Sequence, residues 1–387
     1  RRQPVLLLVE DLHWIDAESD SVINRIIDGM AGQRLLIVGT YRPEYQHNWA
    51  GKGLFQHIRL APLGQDECGD FLQALLGDHP SIGHIRPLLA ERSDGTPLFL
   101  EELVRALAET GQIEGEPGHY QAKAHVGDLQ VPANVKPIIA ARIDRLPASD
   151  RKVIQVAAVI GKNVSLPVLA RLTEMPDGDL DAAIARLSDV ELLFELQSYP
   201  NREYTFKHAL THDVAYESMV SDDRKALHSR VLRVMEDIYA DDLDRNSELL
   251  ADHALRAEDW DSAAKYLLAA VDRATDRAAF AKAARFLEHA VRAADVLPRT
   301  PENIARSIDI RTRMRPAYEG INEFEKARAA LVEAEELAES QNDAGRLSHV
   351  LLHQSYAYST HGRLDEAIIA ADRLKAISTE SGNERYQ

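Results

Sequence analysis

Near its amino terminus the sequence contains Val5-Leu6-Leu7-Leu8-Val9-Glu10-Asp11, five apolar residues followed by two acids, and this run indicates the architecture of the first segment. A short run of this kind is typical of a strand that is buried on both faces of a parallel sheet. Open α/β sheets bind ligands at the carboxyl ends of their strands, which is where the two carboxylates lie. The stretch therefore predicts a central strand that ends in an acidic site.

A second strand is predicted one helix later. Asp16 is a candidate N-cap for a helix whose apolar residues keep helical spacing up to Met30, and Gly32 ends it. Residues 35–40 (LLIVGT) repeat the buried-strand pattern, which predicts a right-handed β-α-β unit. Residues 58–60 predict a third, weaker strand.

From residue 65 the apolar period becomes helical. Helices are predicted over 65–76 and 84–92, and a third is capped by Thr96 and runs from Pro97 to Gly111. Residues 111–127 contain Gly115, Pro117 and Gly118 and predict an exposed loop or linker. Further elements are predicted as helices over 134–146, 149–160, 165–172 and 178–189, and as strands over 192–197 and 204–206.

Helices followed by two strands indicate a winged-helix domain, but its charge excludes DNA reading. The helix in the recognition position, near 179–189, is acidic, and Arg186 is its one opposing cation. Across the chain 45 basic residues face 62 acidic ones, a net charge of −17, which repels nucleic acid and anionic lipid. No direct nucleic-acid contact and no membrane contact is expected of this segment.

The carboxyl-terminal half contains recurring helical blocks. Each block places an aromatic residue or leucine three residues before an alanine, at Trp260, Phe280, Phe324 and Leu364. Leu364 follows Phe324 by 40 residues, close to the ~34-residue period of tetratricopeptide repeats. The pattern predicts a helical solenoid with a surface for a protein partner.

Composition indicates a cytoplasmic protein. Cys68 is the only cysteine, so an intrachain disulfide is excluded and a reducing compartment is expected. The apolar runs are much shorter than the ~20 residues of a membrane-spanning helix. His208 and His212 have the spacing of two zinc ligands on one helix face, but we interpret them as packed or solvated because no third ligand stands near.

Four motifs occur in order: VLLLVEDLHWID (5–16), LIVGTYRP (36–43), DGTPLFLEE (94–102) and FKHALTHDVAY (206–216). Together they resemble the STAND branch of AAA-type ATPases. They are most similar to large bacterial proteins in which a class III adenylate/guanylate cyclase domain precedes such an ATPase and a tetratricopeptide array. LuxR-type regulators share the ATPase and repeats but end in a DNA-binding helix-turn-helix.

The resemblance implies a mostly α fold of four parts. Residues 1–64 would be the carboxyl-terminal half of a P-loop NTPase core and 65–130 a helical lid with a linker. Residues 131–222 would form the winged-helix domain and 223–387 the tetratricopeptide solenoid.

The resemblance also implies ATP and Mg²⁺ as cofactors. Glu10 matches the Mg²⁺-side acid of a Walker B element, and Asp11 matches the acid that polarises the attacking water. Arg42 matches a sensor arginine that reaches the γ-phosphate, with Thr40 as its polar neighbour. Without the family, the two acids could simply end a strand beside a helix amino terminus, and Arg42 could be a surface residue before a turn.

Gly95 and Pro97 match a Gly-x-Pro motif whose proline lies against the adenine in the family, although helix capping alone also explains Pro97. No G-x-x-x-x-G-K-[ST] phosphate loop occurs in the 387 residues. We therefore expect the chain to be the downstream part of a larger ATPase and to lack ATP turnover by itself.

The leading functional hypothesis is a signal-transduction ATPase segment that exchanges ATP and ADP, senses a protein partner through its repeats, and oligomerises in a nucleotide-dependent way. One alternative is an ATP-dependent LuxR-type transcriptional regulator. The other is a non-catalytic scaffold built on the repeats.

Overall fold

The computed structural model describes residues 3–43, 45–47, 49, 55–123, 134–198 and 202–381. These residues form 17 helices and a few small sheets, and 67% helix confirms the mostly α prediction. The chain divides into two compact units, Arg1–His57 with Met235–Gln387, and Ile58–Val234.

The amino-terminal residues form the expected β-α-β unit. Strands β1 (Val5–Val9) and β2 (Leu35–Gly39) pair in parallel, and helix α1 (Ala17–Asp28) connects them. Asp16 caps α1, because its Oδ1 accepts a hydrogen bond from the Ser19 amide at 3.0 Å.

The prediction that β1 is buried on both faces is wrong. Ile23 and Ile27 of α1 belong to a cluster that contains Val9, so the helix covers one face of the strand pair. Because side chains alternate along a strand, the other face is left uncovered in the described residues. It exposes four apolar side chains, Leu6 (66% exposed), Leu8, Leu36 and Val38.

The third strand predicted at 58–60 is also absent from the structure. Residues 55–64 form neither helix nor strand, and Leu60 is 89% exposed. A strand needs a neighbour to satisfy its backbone, and no strand in the described residues pairs with this segment.

The second unit begins with three helices whose positions confirm the sequence predictions within two residues. They are α2 (Gln65–Leu76), α3 (Ile85–Ser93) and α4 (Pro97–Glu109). Their apolar faces form one core, in which Leu72, Leu89 and Leu100 are fully buried. The periodic spacing of these leucines explains why the prediction succeeded.

The segment after α4 contains two short strands where the sequence predicts an exposed loop or linker. Strands β3 (Ile113–Glu114) and β4 (Gln121–Ala122) form an antiparallel hairpin. The amides of Gly118 and Tyr120 donate to the carbonyls of Leu75 and Leu76 at 2.8 and 2.9 Å, which holds the hairpin on the end of α2. Residues 124–127 of the predicted linker lie outside the described residues.

The rest of this unit alternates helices with a three-stranded antiparallel sheet of order β5-β7-β6. Its elements are α5 (Val135–Arg145), α6 (Ala148–Ile160), β5 (Asn163–Ser165), α7 (Leu166–Thr173), α8 (Asp177–Asp189), β6 (Leu193–Gln197), β7 (Glu203–Phe206) and α9 (Ala209–Glu217). The four helices predicted in 134–189 and the strands β6 and β7 are confirmed. Strand β5 has only three residues, too few for an apolar period to reveal it.

The carboxyl-terminal half is entirely helical in the described residues. It consists of α10 (Ser221–Ile238), α11 (Ser247–Arg256), α12 (Trp260–Asp276), α13 (Phe280–Val296), α14 (Pro301–Glu319), α15 (Phe324–Ser340), α16 (Ala344–Thr360) and α17 (Leu364–Ser381). The four aromatic or leucine residues singled out in the sequence are the first residues of α12, α13, α15 and α17, and the alanines three positions later are buried.

From α11 onward consecutive helices pack against each other, and α14 also packs against α16. This arrangement is consistent with a helical solenoid. Among the described helices, none combines the length and the apolar character needed to cross a bilayer.

Candidate functional site

The acidic and hydroxyl side chains of the candidate site follow the carboxyl ends of β1 and β2. The last register pair is Val9 with Gly39. Beyond it the Thr40 amide donates to the Val9 carbonyl at 3.0 Å, and the Leu12 amide donates to the Thr40 carbonyl at 2.8 Å. The structure thus brings two segments to one edge of the sheet. One is the loop that contains Glu10 and Asp11, called the acidic loop below, and the other is the segment that leads to Arg42.

Two further features fix the shape of the acidic loop. Asp11 has a left-handed backbone (φ 55°), and its amide donates to the Thr40 side-chain oxygen Oγ1 at 3.0 Å. Leu12 is 2% exposed and folds over Gly39, where a Cβ would lie 2.5 Å from Leu12 Cδ1. Neither Gly39 nor Leu12 is distinguished by a local sequence pattern, because the role of both residues depends on a contact between segments that are distant in the sequence.

The donor set suits magnesium. Mg²⁺ prefers oxygen ligands and is commonly held by one or two carboxylates together with waters and substrate phosphates. Glu10 is exposed and Asp11 is half-buried, so both carboxylates can be reached from solvent. Within the described ranges no cluster of three or more His, Cys, Asp or Glu side chains is arranged to hold a metal ion by itself. A metal at this edge would need oxygen ligands from its substrate.

Arg42 lies three residues beyond the end of β2 and is exposed. Its carbonyl accepts a hydrogen bond from the Tyr45 amide at 3.0 Å, which closes a turn that includes Pro43. The turn holds the backbone of Arg42 close to the strand edge. Its position fits both the sensor interpretation and the simpler interpretation of a residue before a turn.

Gly95 and Pro97 belong to the second compact unit, Ile58–Val234. Gly95 has φ 71°, and its carbonyl accepts a hydrogen bond from the Leu63 amide at 2.8 Å. A Cβ on Gly95 would lie 2.9 Å from Pro62 Cβ. The close passage of residues 62–63 therefore explains this glycine without any ligand.

Pro97 is the first residue of α4, as predicted. Thr96 occupies the N-cap position with an extended backbone, but its side chain makes no capping hydrogen bond. The predicted N-cap position of Thr96 and the predicted helix start at Pro97 are therefore confirmed, although the Thr96 hydroxyl does not bond to the first turn.

The two histidines with zinc-like spacing do not share a helix face. His208 precedes α9 in an extended conformation (φ −132°), whereas His212 lies within α9. His212 Nε2 is 3.0 Å from the Ala158 carbonyl. Burial, with a smaller effect of Lys207, lowers the pKa of His208. Both side chains belong to the packing of this unit.

A polar cluster joins α14 and α16 in the repeats. Arg315 Nε donates to His353 Nδ1 at 2.9 Å and Arg315 Nη1 donates to Glu319 at 2.6 Å. Because arginine stays protonated, His353 Nδ1 is the acceptor, so Nε2 carries the hydrogen and faces His349 Nε2 at 3.2 Å. Tyr356 is exposed, and its ring centroid lies 4.8 Å from the Arg315 guanidinium carbon. The cluster gives this surface a mixed aromatic and polar character.

The same repeats contain a cavity of about 390 Å³. Its lining combines aromatic and charged side chains, and includes Phe324, Tyr358, His361, Arg328 and Arg363. The two arginines pair with Glu325 and Glu366, respectively. The charges of these two arginines are therefore compensated within the lining of the cavity.

Comparison with known proteins gave distant similarities. No protein-family model matches the chain. An uncharacterised protein of Rhizobium meliloti (strain 1021) is 28% identical over 294 residues, which cover 75% of this chain and 28% of that protein. The chain thus spans 28% of the length of this curated relative.

Among solved structures, a STAND protein with a tetratricopeptide repeat sensor from Pyrococcus horikoshii gives a TM-score of 0.44 at 12% identity. The similarity covers 99% of this chain and 63% of that chain. The apo form of RapI gives a TM-score of 0.31 at 14% identity, over 46% of this chain and 68% of that chain. These comparisons assign the chain to no family.

Proposed function

We propose that the chain is a segment of a signal-transduction ATPase of the STAND class, whose repeats bind a protein partner. The observation that carries the proposal is the parallel pairing of β1 with β2, with the Asp11 amide bound to Thr40 Oγ1 at 3.0 Å. Acids and a hydroxyl at one carboxyl edge of parallel strands are the arrangement that nucleotide-binding α/β sheets use.

In this proposal Glu10 holds Mg²⁺ and Asp11 orients the attacking water. The Thr40 oxygen already accepts from the Asp11 amide, so its hydroxyl hydrogen can be donated to an anion such as the γ-phosphate. Arg42 adds positive charge where negative charge develops during phosphoryl transfer. The family resemblance implies that Pro97, in the Gly95-x-Pro97 motif, contacts the adenine.

Residues 131–222 act as a winged-helix relay, and the parent protein carries an amino-terminal nucleotide cyclase domain. ATP and ADP favour different arrangements of the chain only if they bind those arrangements with different affinity. The nucleotide-dependent oligomer is part of the same proposal. Sedimentation of the parent protein with ADP and with a non-hydrolysable ATP analogue tests it, and identical profiles would contradict it.

The decisive experiment compares two polypeptides. We expect this 387-residue chain to release no phosphate from ATP, because it has no loop to hold the β- and γ-phosphates. The longest polypeptide encoded by the reading frame around Arg1 should hydrolyse Mg·ATP. In that polypeptide Glu10→Gln should lower turnover on the order of 10²-fold while nucleotide binding remains.

Asp365→Asn, an exposed acid in the first turn of α17, is the matched control and should leave turnover unchanged. Equal turnover in Glu10→Gln and the parental sequence would remove Glu10 from the mechanism. Failure of the longer polypeptide to bind ATP or ADP, with a partner still bound by the repeats, would instead support the scaffold alternative.

A further inference from the structure

A buried ion pair joins α4 to α5 in the unit Ile58–Val234. Glu102 and Arg142 are each only 6% exposed. Arg142 Nη1 lies 3.3 Å from both carboxylate oxygens of Glu102. Arg142 Nε lies 3.3 Å from Glu109 Oε1, without hydrogen-bond geometry, so this contact is electrostatic only. Burial lowers the pKa of Arg142, and the neighbouring glutamates oppose that effect.

The same guanidinium reaches a third segment. Arg142 Nη2 donates to the carbonyl of Val190, the residue that follows the end of α8. Arg105 of α4 donates to this carbonyl as well, at 3.2 Å. Cations at a helix carboxyl terminus are favoured by its unpaired carbonyls and dipole. One carbonyl therefore receives donors from two different helices.

The next residue extends the network. Glu191 has a left-handed backbone (φ 57°), which is costly for a residue with a side chain. Its carboxylate pairs with Arg105 and with Lys207, the latter at 2.7 Å. Hydrogen bonds from Arg105 and then Lys207 lower the pKa of Glu191 to about 2, so it stays charged. Charge thus holds the strained turn between α8 and β6 against α4.

We propose that Glu102, Arg105, Arg142 and Glu191 form a latch that makes α4 and the segment α5–α9 open and move as a single body. A displacement of α4 that is too small to admit water would leave the Glu102 carboxylate and the Arg142 guanidinium unpaired in a dry site, which is far costlier than the loss of an exposed ion pair. It would also remove the Arg105 donor from the Val190 carbonyl. Both penalties fall on the same motion, so they act against it together.

The latch has a consequence for signalling that rests on the proposed function. Helix α4 begins at Pro97, and the proposed function assigns the Gly95-x-Pro97 motif to the adenine. A displacement at that end would pass through Arg142 to α8 and the β6–β7 hairpin without a hinge between α4 and α5. The coupling itself needs no nucleotide, so it can be tested whether or not the chain binds ATP.

The test is native-state hydrogen exchange of the whole chain at increasing, sub-denaturing urea. In the parental protein, amides of α4 and α5 should exchange through one shared opening, with the same urea dependence. Arg142→Met should speed exchange in α4 on the order of 100-fold, because Glu102 then loses its partner. Helix α6 belongs to the same body, so its amides should share the opening of α4 in the parental protein and should exchange more slowly than those of α4 in Arg142→Met.

Arg186→Met is the matched control. It removes an arginine of α8 from its buried partner Asp150 in α6, and so breaks a comparable ion pair outside the latch. In this variant the amides of α4 and α5 should still exchange with the same urea dependence. Arg142→Lys keeps the buried cation but cannot span both acceptors, and it provides a second variant if Arg142→Met does not fold. The proposal would be overturned if α4 and α5 exchanged independently in the parental protein. It would also be overturned if their exchange still had the same urea dependence in both Arg142 variants.

Discussion

Gly39 and Gly95 each stand where the backbone passes close to another segment of its own compact unit. Gly39 has an ordinary strand conformation and is needed because Leu12 occupies the place of a Cβ. Gly95 is needed twice, for its positive φ of 71° and for the passage of Pro62 and Leu63. Glycine can thus be required at a position by the backbone conformation, by a close contact, or by both.

Gly95→Ala should destabilise the unit Ile58–Val234 by about 1–3 kcal/mol, because the alanine would be strained and would overlap Leu63. Urea denaturation followed by far-ultraviolet circular dichroism measures the change. Gly69→Ala is the matched control, since Gly69 lies within α2 and a Cβ there would have no neighbouring atom within 4 Å. It should gain up to ~1 kcal/mol. Equal stability of the two variants would contradict the assignment.

Thr40→Val should loosen the acidic loop, because valine cannot accept the hydrogen bond from the Asp11 amide. We expect hydrogen exchange of that amide to accelerate about 3- to 10-fold, which corresponds to the free energy usually lost with one partly exposed hydrogen bond. Mass spectrometry of the peptide that contains Asp11 measures the rate. Thr40→Ser keeps the acceptor and should preserve the parental rate; acceleration in both variants would point to packing of the Thr40 methyl instead.

At the scale of elements, helix positions were predictable and sheet burial was not. The periodic leucines of α2 and the residues Trp260 and Phe280 located helices to within two residues, because those signals are local. The uncovered face of β1 depends on what packs over it, which alternation within the strand cannot reveal. Glu102 and Arg142 are 40 residues apart, and nothing local to either residue predicts their pairing.

Gly320→Ala should disturb the packing of α14 on α13. A Cβ at Gly320 would lie 2.7 Å from Phe280 Cβ and even closer to its ring. Overpacking of this kind costs about 1–3 kcal/mol, more than the gain in helix propensity of up to ~1 kcal/mol. Thermal unfolding followed by tryptophan fluorescence measures the effect.

The double variant Gly320→Ala with Phe280→Leu should recover part of the loss, since leucine removes the ring that the methyl meets. Gly345→Ala, whose nearest atom would be Asp343 Oδ1 at 3.4 Å, is the control and should be neutral or mildly stabilising. A Gly320→Ala protein as stable as the parent would show that α13 and α14 can shift apart without cost.

For the whole molecule, the repeats and the latch are expected to respond to acid over different pH ranges. The unit that contains the repeats holds His253, 2% exposed, and burial lowers the pKa of this imidazole to about 4. Burial, then Arg315 and His349, lower the pKa of His353 to about 4. In the other unit, the pKa of Glu191 is lowered to about 2.

The histidines and the glutamate lose their stabilising effect in different pH ranges. Unfolded histidine takes up a proton near pH 6.5, whereas the folded side chains stay neutral, so stability of the repeats falls from about pH 6.5 to about pH 4. A depressed glutamate pKa contributes stability above about pH 4.5 and loses it only as pH falls toward 2. Acid should therefore weaken the repeats before it weakens the latch.

All three tryptophans, Trp14, Trp49 and Trp260, lie in the unit with the repeats, so their fluorescence reports on that unit. The melting temperature from this signal should fall between pH 7 and pH 5, with His253 responsible for on the order of 2 kcal/mol at pH 5. His253→Gln should flatten the dependence. A melting temperature that stays constant over this range in the parental protein would refute the assignment of buried neutral histidines.

Phe324 and Leu364 each begin a helix, and the 40 residues from 324 to 363 form one helix pair that ends where the next begins. A duplicated copy inserted after Arg363 would offer α17 the same neighbour that it has now. Lengthening by copying would thus require no newly evolved interface. Gene duplication within this block could lengthen the row of helices while leaving the residues before it unchanged.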